Sequence, residues 1–202
     1  MTLWKESRPL ILASQSAVRR SLLANAGITV ETIPADIDER AIQQAFGLSD
    51  PAKIAVLLAS EKAKAVSAQH PGRYVIGADQ TLALGDALFS KPADRMAAAT
   101  QISRLAGKTH ALHSAVCVTK DGVSLFSDTS AALMTMRPLT DTEIAAYIAA
   151  AGDAAITSVG AYQLERIGVH LFERIEGDHF TILGLPLLPL LGFLRSRDLL
   201  AI

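Results

Sequence analysis

The chain has 202 residues, half of them hydrophobic and 19% charged, with a formal net charge of −1 and a single cysteine. That apolar content excludes a disordered chain, and the length suffices for one sizeable core. Balanced, interspersed charge gives no reason to expect a nucleic-acid polymer or an anionic membrane as partner, and one cysteine excludes an internal disulfide or a thiolate metal cluster.

The N-terminal residues lack the apolar core of a signal peptide. Residues 9–13, Pro-Leu-Ile-Leu-Ala, predict a buried strand. Ser14, Gln15, Ser16 and Ala17 form a loop of small residues, and a helix over residues 17–26 is closed by Gly27. Free N–H groups and serine hydroxyls at a helix start suit a phosphate or carboxylate. Arg19 and Arg20 stand in the first turn, where the helix dipole favours acids, which points to an incoming anion. The same stretch also reads as a plain strand–loop–helix with solvent-facing arginines.

Residues 28–33 are rich in β-branched side chains and predict a second strand, followed by an acidic loop over residues 36–40. Asp50-Pro51 predicts a capped helix start, with the helix running to residue 69. Residues 73–78 predict another buried strand ending at Asp79. A carboxylate at the carboxyl end of such a strand is where open α/β sheets place ligands, and Gly77 and Ala78 leave room for close approach. There Asp79 could bind a hard divalent metal or accept a proton from water; its other reading is a turn cap. Glu39, with Asp38, could complete an oxygen-rich metal site, although solvated loops look alike. Lys62 lies on a helix that reads equally as a wet face, while Pro92 could aim Lys91 inward.

A hairpin turning at Gly85-Asp86, a helix over residues 93–105, and strands 110–119 and 123–136 joined by Asp121-Gly122 come next. Thr140 to Glu143 reads as a capping box, residues 169–175 as a strand, and residues 186–195 as a last helix. The apolar run 181–194 is too short for a membrane span and is broken by Pro186 and Pro189, so a soluble, cytoplasmic protein is expected. The five histidines show no paired zinc spacing, and His110, His113, His170 and His179 read as packing or surface residues. Phosphate loop, dinucleotide fingerprint and nucleophile elbow are all missing. Alternating strands and helices followed by hairpins give an α/β class with a mixed sheet.

Taken in order, these segments resemble the Maf family of nucleoside triphosphate pyrophosphatases. The resemblance is carried by residues 12–20, Asp38-Glu39, residues 61–63, Ile76-Gly-Ala-Asp79, Lys91-Pro92, residues 105–110, Gly160-Ala-Tyr162 and Gly184-Leu-Pro186. It implies one Maf/ITPase-like domain over residues 1–202: a twisted mixed sheet flanked by helices, with two lobes around a nucleotide-binding cleft. It also implies hydrolysis of a nucleoside triphosphate to monophosphate and pyrophosphate, assisted by Mg²⁺ or Mn²⁺, as a cytoplasmic house-cleaning activity. Ser14, Ser16, Arg19, Lys62 and Lys91 would hold phosphates, Asp79 would be the base, and Glu39 with Asp79 would hold the metal. Such chemistry needs cationic clamps, with a metal and a carboxylate placing the water.

Positions 18, 80 and 165 bear on the base. Gln80 and Glu165 resemble the branch that prefers 7-methyl-GTP, in which an acid favours a cationic methylated guanine. Val18 stands where that branch has an aromatic platform, and Ser158 replaces the family's motif lysine. The base preference therefore stays open, with 7-methyl-GTP a candidate. The family's association with septum formation supplies an alternative, a nucleotide-binding regulator of cell division with little turnover. The partner implied is a small nucleotide, and the resemblance allows a homodimer.

Overall fold

The computed structural model describes residues 2–202. In chain order the elements are β1 (Leu10–Leu12), α1 (Ala17–Asn25), β2 (Val30–Thr32), α2 (Glu39–Phe46), α3 (Pro51–Ser67), β3 (Tyr74–Leu84) and β4 (Ala87–Phe89). They continue as α4 (Arg95–Leu105), β5 (Thr109–Lys120), β6 (Val123–Met136), α5 (Asp141–Ala151), β7 (Phe172–Glu176), α6 (His179–Ile182) and α7 (Leu187–Ser196). Strands are hydrogen-bonded in the order β2-β1-β3-β5-β6-β7 with β4 on β3, and both parallel and antiparallel pairs occur. The α/β class with a mixed sheet is thus observed. The chain divides into two compact units: the first runs to Gln80 and takes in His113–Ser130 and His179–Ile202, and the second comprises Thr81–Leu112 and Ala131–Asp178.

In the first unit β1 lies parallel to both β2 and β3, with Ile11 opposite Val75 and Leu12 opposite Ile76. Side chains alternate across a strand, so each strand feeds two cores. Leu10, Leu12, Ile76, Ala78, Val116 and Val118 pack with Leu22 and Leu23 of α1 and with Leu187, Leu190, Phe193 and Leu194 of α7. Ile11, Ala13, Val75, Ala115 and Cys117 pack instead with Ala55, Ala59, Ala63 and Val66 of α3. Trp4 pairs in a bridge with Leu200, joining the early chain to its last residues. The β5–β6 turn has positive φ at Asp121 (51°) and Gly122 (76°), the twist-matched form that the Asp-Gly pair predicts.

The second unit carries the β3–β4 hairpin, α4, α5 and β7, which pairs with the end of β6 and shifts register between Thr135 and Met136. The capping box of α5 is present, with Thr140 and Glu143 each accepting from the other's backbone N–H. Arg137 adds an ion pair to Glu143 at 2.8 Å. Among the described residues no helix is long and apolar enough to cross a membrane.

Three expectations are corrected. The acidic stretch 36–40 is a helix entry: the Asp38 carboxylate accepts from Ala41 N at 2.9 Å and opens α2, which Gly47 closes at φ 60°. The strand expected to stop at Asp79 runs on to Leu84, so Asp79 lies inside β3. Residues 167–171 form a 3-10 turn before β7, because Gly168 is pressed against the backbone of Gln163, where a Cβ would stand 2.4 Å from the carbonyl oxygen.

Candidate active site

The candidate cluster grows from two close packings. The first is at Gly77, where an added Cβ would lie 2.0 Å from Ala59 O and 2.8 Å from Ala63 N of α3. Helix backbone therefore rests on strand backbone. The room that Gly77 leaves is taken by this helix. Val75, Gly77 and Asp79 share one face of β3, so the same contact sets Lys62 of α3 over Asp79. Lys62 Nζ lies 2.6 Å from Asp79 Oδ1 and 2.6 Å from Glu39 Oε1. Lys62 and Asp79 are nearly buried, with side chains 12% and 11% exposed, whereas Glu39, the first residue of α2, is 51% exposed.

A carboxylate inside a buried strand is costly unless it is paired. Burial pushes the Asp79 carboxyl above its usual range; the Lys62 ammonium and then the Arg19 guanidinium pull it back, and Glu39 adds to the rise. Asp79 is therefore a more basic carboxylate than a surface one, paired with Lys62 and stabilised at a distance by the charge of Arg19.

The second close packing surrounds Arg19. Ser16 caps α1 by accepting from Arg19 N at 3.3 Å, and Ser14 Oγ accepts from Ser16 N and from Arg19 Nη1. In these bonds both serine oxygens accept, which leaves each hydroxyl its own proton to donate. Arg19 does not face water from the first turn. Its Nε donates to Gly184 O at 2.7 Å and its Nη1 to Ala78 O at 2.9 Å. Burial lowers the guanidinium's pKa, and the Asp79 and Glu39 carboxylates oppose that shift. Gly184 has φ +90°, a conformation that favours glycine, and a Cβ there would press on Arg19 Nη2 at 3.3 Å.

Gln80, next to Asp79, is tied by its amide: Nε2 donates to Ser114 Oγ (2.9 Å), Thr181 O (3.2 Å) and Ile182 O (3.0 Å). Ser114 Oγ also donates to Thr181 O at 2.7 Å. The turn that supplies the Gly184 carbonyl is thereby anchored to β3 and β5. Val18 is half-buried on α1.

Ser14, Ser16, Arg19, Glu39, Lys62, Asp79 and Gln80 are thus gathered in the first unit. Lys91 and Glu165 belong to the second, where each is exposed, Lys91 ahead of buried Pro92 and Glu165 in a turn. The Gly184 and Ala78 carbonyls and the Ser114 hydroxyl were missed from sequence, since backbone acceptors and a small residue in an alternating strand carry no signal of their own. Gly184 is marked by the Gly-Leu-Pro stretch, without a role attached.

The second unit contains a buried polar group of its own. His110 Nε2 lies 2.7 Å from the Tyr162 hydroxyl, and burial lowers the imidazole pKa to about 4. Ser158, in the place of the motif lysine, donates to Tyr162 O at 2.6 Å. Tyr147 donates to the carbonyl of Ala161, which holds a left-handed φ of 63°.

Among the described residues no group of three or more His, Cys, Asp or Glu side chains is placed to hold a metal. Two carboxylates converging on one cation are nevertheless a hard-oxygen donor pair of the kind that holds Mg²⁺ together with water and substrate phosphate.

A protein of Rhodopseudomonas palustris (strain ATCC BAA-98 / CGA009) named nucleoside triphosphate pyrophosphatase is 65% identical over 202 residues, covering 100% of both chains. One of the same name from Bradyrhizobium diazoefficiens is 64% identical over 202 residues, again 100% of both. A 7-methyl-GTP pyrophosphatase of Rhizobium etli is 52% identical over 189 residues, covering 93% of this chain and 95% of its own. The family model described as Maf-like protein matches residues 9–197, and the chain belongs to that family.

Proposed function

We propose that this protein hydrolyses a nucleoside triphosphate to the monophosphate and pyrophosphate. The observation that carries the reading is the ammonium of Lys62 shared by Asp79 and Glu39, with the Arg19 guanidinium held on three acceptors beside the same strand. Phosphoryl transfer is catalysed mainly by positioning and by neutralising charge on the phosphate oxygens, which fixed cations supply. Arg19, Lys62 and the donor hydroxyls of Ser14 and Ser16 suit that task. Asp79 accepts the proton of the attacking water, whose oxygen bonds to one phosphorus while the α–β bridging oxygen leaves with the other.

A divalent cation, Mg²⁺ or Mn²⁺, fits the two carboxylates. Glu39 and Asp79 would hold it, and it would supply further charge neutralisation at the phosphate oxygens. For the base we infer 7-methylguanine; the Rhizobium etli relative's name and Gln80 and Glu165 support that choice.

The test is pyrophosphate release from 7-methyl-GTP, dTTP, UTP and CTP with Mg²⁺ or Mn²⁺, by the wild type and by Asp79→Asn. Pyrophosphate is expected as first product, with turnover lost in a variant that still folds. Tight nucleotide binding without turnover would instead favour the regulator, orthophosphate as first product another phosphate-ester hydrolase, and preference for dTTP and UTP would defeat the assignment of base.

A further inference from the structure

We propose that Lys62 is the resident counter-ion of the divalent-cation position, holding Glu39 and Asp79 together until the cation binds and then releasing both carboxylates. The proposal rests on the metal reading given above. Its basis is geometric. One ammonium nitrogen stands 2.6 Å from Glu39 Oε1 and 2.6 Å from Asp79 Oδ1, so the two oxygens are no more than twice that distance apart. A Mg²⁺- or Mn²⁺-sized ion bound by both would need them within roughly 4 Å of each other, with itself between them. That is the space the ammonium fills. Lys62 and a divalent ion bound by these two oxygens would therefore compete for Glu39 Oε1 and Asp79 Oδ1.

The α3 backbone rests directly on β3 at Gly77, so Lys62 cannot withdraw by moving its helix. It must withdraw by turning its side chain, which a flexible four-carbon stem with a single point of charge can do. Glu39 is half exposed at the first turn of α2, a helix without a buried residue, so that carboxylate can follow the incoming ion.

The charges give the exchange a purpose. Glu39, Asp79, Lys62 and Arg19 sum to zero as they stand. A divalent ion on the carboxylates, with Lys62 turned away from them, leaves the cluster two positive charges in excess, a surface for a polyphosphate. Cation binding and phosphate binding should therefore favour each other, with Lys62 moving from carboxylate to phosphate.

The test uses nucleotide-free protein and manganese alone, reading unbound Mn²⁺ by electron paramagnetic resonance. Lys62→Met, which keeps the stem and removes the charge, is expected to bind Mn²⁺ at least about tenfold more tightly than the wild type. Equal or weaker binding by the variant, or no binding by either protein, overturns the proposal. Should the variant not fold, acetylation of Lys62 in the wild type, followed by mass spectrometry, decides instead. Mn²⁺ should accelerate it severalfold, and an unchanged or slower rate overturns the proposal. Pyrophosphate release plays no part in either readout, so the exchange can fail while the enzymatic reading stands, and the reverse.

Discussion

Gly77→Ala isolates the contact on which the cluster depends. The new methyl would begin 2.0 Å from Ala59 O, whereas ordinary contact starts at 3.4 Å, so α3 and β3 must part by about 1.4 Å. Neither obstacle is a side-chain tip that can turn aside, because both Ala59 O and Ala63 N are backbone. Overpacking of this kind costs about 1–3 kcal/mol. The same parting stretches the 2.6 Å Lys62–Asp79 contact, and a fully broken buried pair costs about 3–5 kcal/mol. A total near 3 kcal/mol would lower Tm by roughly 6–12 °C in a chain of this size. Thermal unfolding followed by circular dichroism measures this, and pyrophosphate release measures the effect on the site, expected to fall at least about a hundredfold. Gly192→Ala is the control, since nothing lies within 4 Å of a Cβ there; in the interior of α7 it should gain a few tenths to about 1 kcal/mol. The reasoning is refuted if Gly77→Ala melts with the wild type and keeps its turnover.

Arg19→Lys retains charge but loses the fork that reaches Gly184 O, Ser14 Oγ and Ala78 O together. KM for any accepted triphosphate should rise about 10- to 100-fold with base ranking unchanged, and a changed ranking would show that Arg19 reads more than phosphate. His110 predicts a pH dependence of stability. The unfolded chain takes up a proton near pH 6.5 and the folded one only near pH 4, so this contribution is complete above 6.5 and drains as pH falls between those values. About 3 kcal/mol is at stake, and the stability obtained from urea melts should fall more steeply with pH across that window in the wild type than in His110→Phe. Equal slopes would show that another group governs the acid side.

Local chemistry was legible where one residue dictates its neighbours. Asp50-Pro51, Asp121-Gly122 and the Thr140–Glu143 box each specify a backbone conformation, and each element begins or turns where those residues stand. Helix α2 escaped although Ala41, Ile42, Ala45 and Phe46 fall at helical spacing, because it is short and its capping Asp38 sits among other charges. The end of β3 was misplaced because a carboxylate normally halts a buried strand. Here Lys62, 17 positions away, and Arg19, 60 away, make it tolerable inside one. Lys62 itself looked like a wet helical face, and only the glycine beneath α3 turns that face inward. The Gly184 carbonyl lies 165 positions from the guanidinium it holds, beyond any local pattern.

The order in which this molecule is synthesised separates its chemistry from its support. Arg19, Glu39, Lys62 and Asp79 have all been made once residue 79 is added. The apolar layer beneath α1 and β1 is completed only by Leu187, Leu190, Phe193 and Leu194, and the Arg19 fork waits for Gly184. Leu3 and Lys5 then find their backbone partners in Ala201 and Leu199. Pairings of such sequence separation slow folding. A growing chain therefore carries its charged groups through most of synthesis before it can fix them, and shortening the chain to before α7 should abolish the cluster while deleting none of its ionised groups.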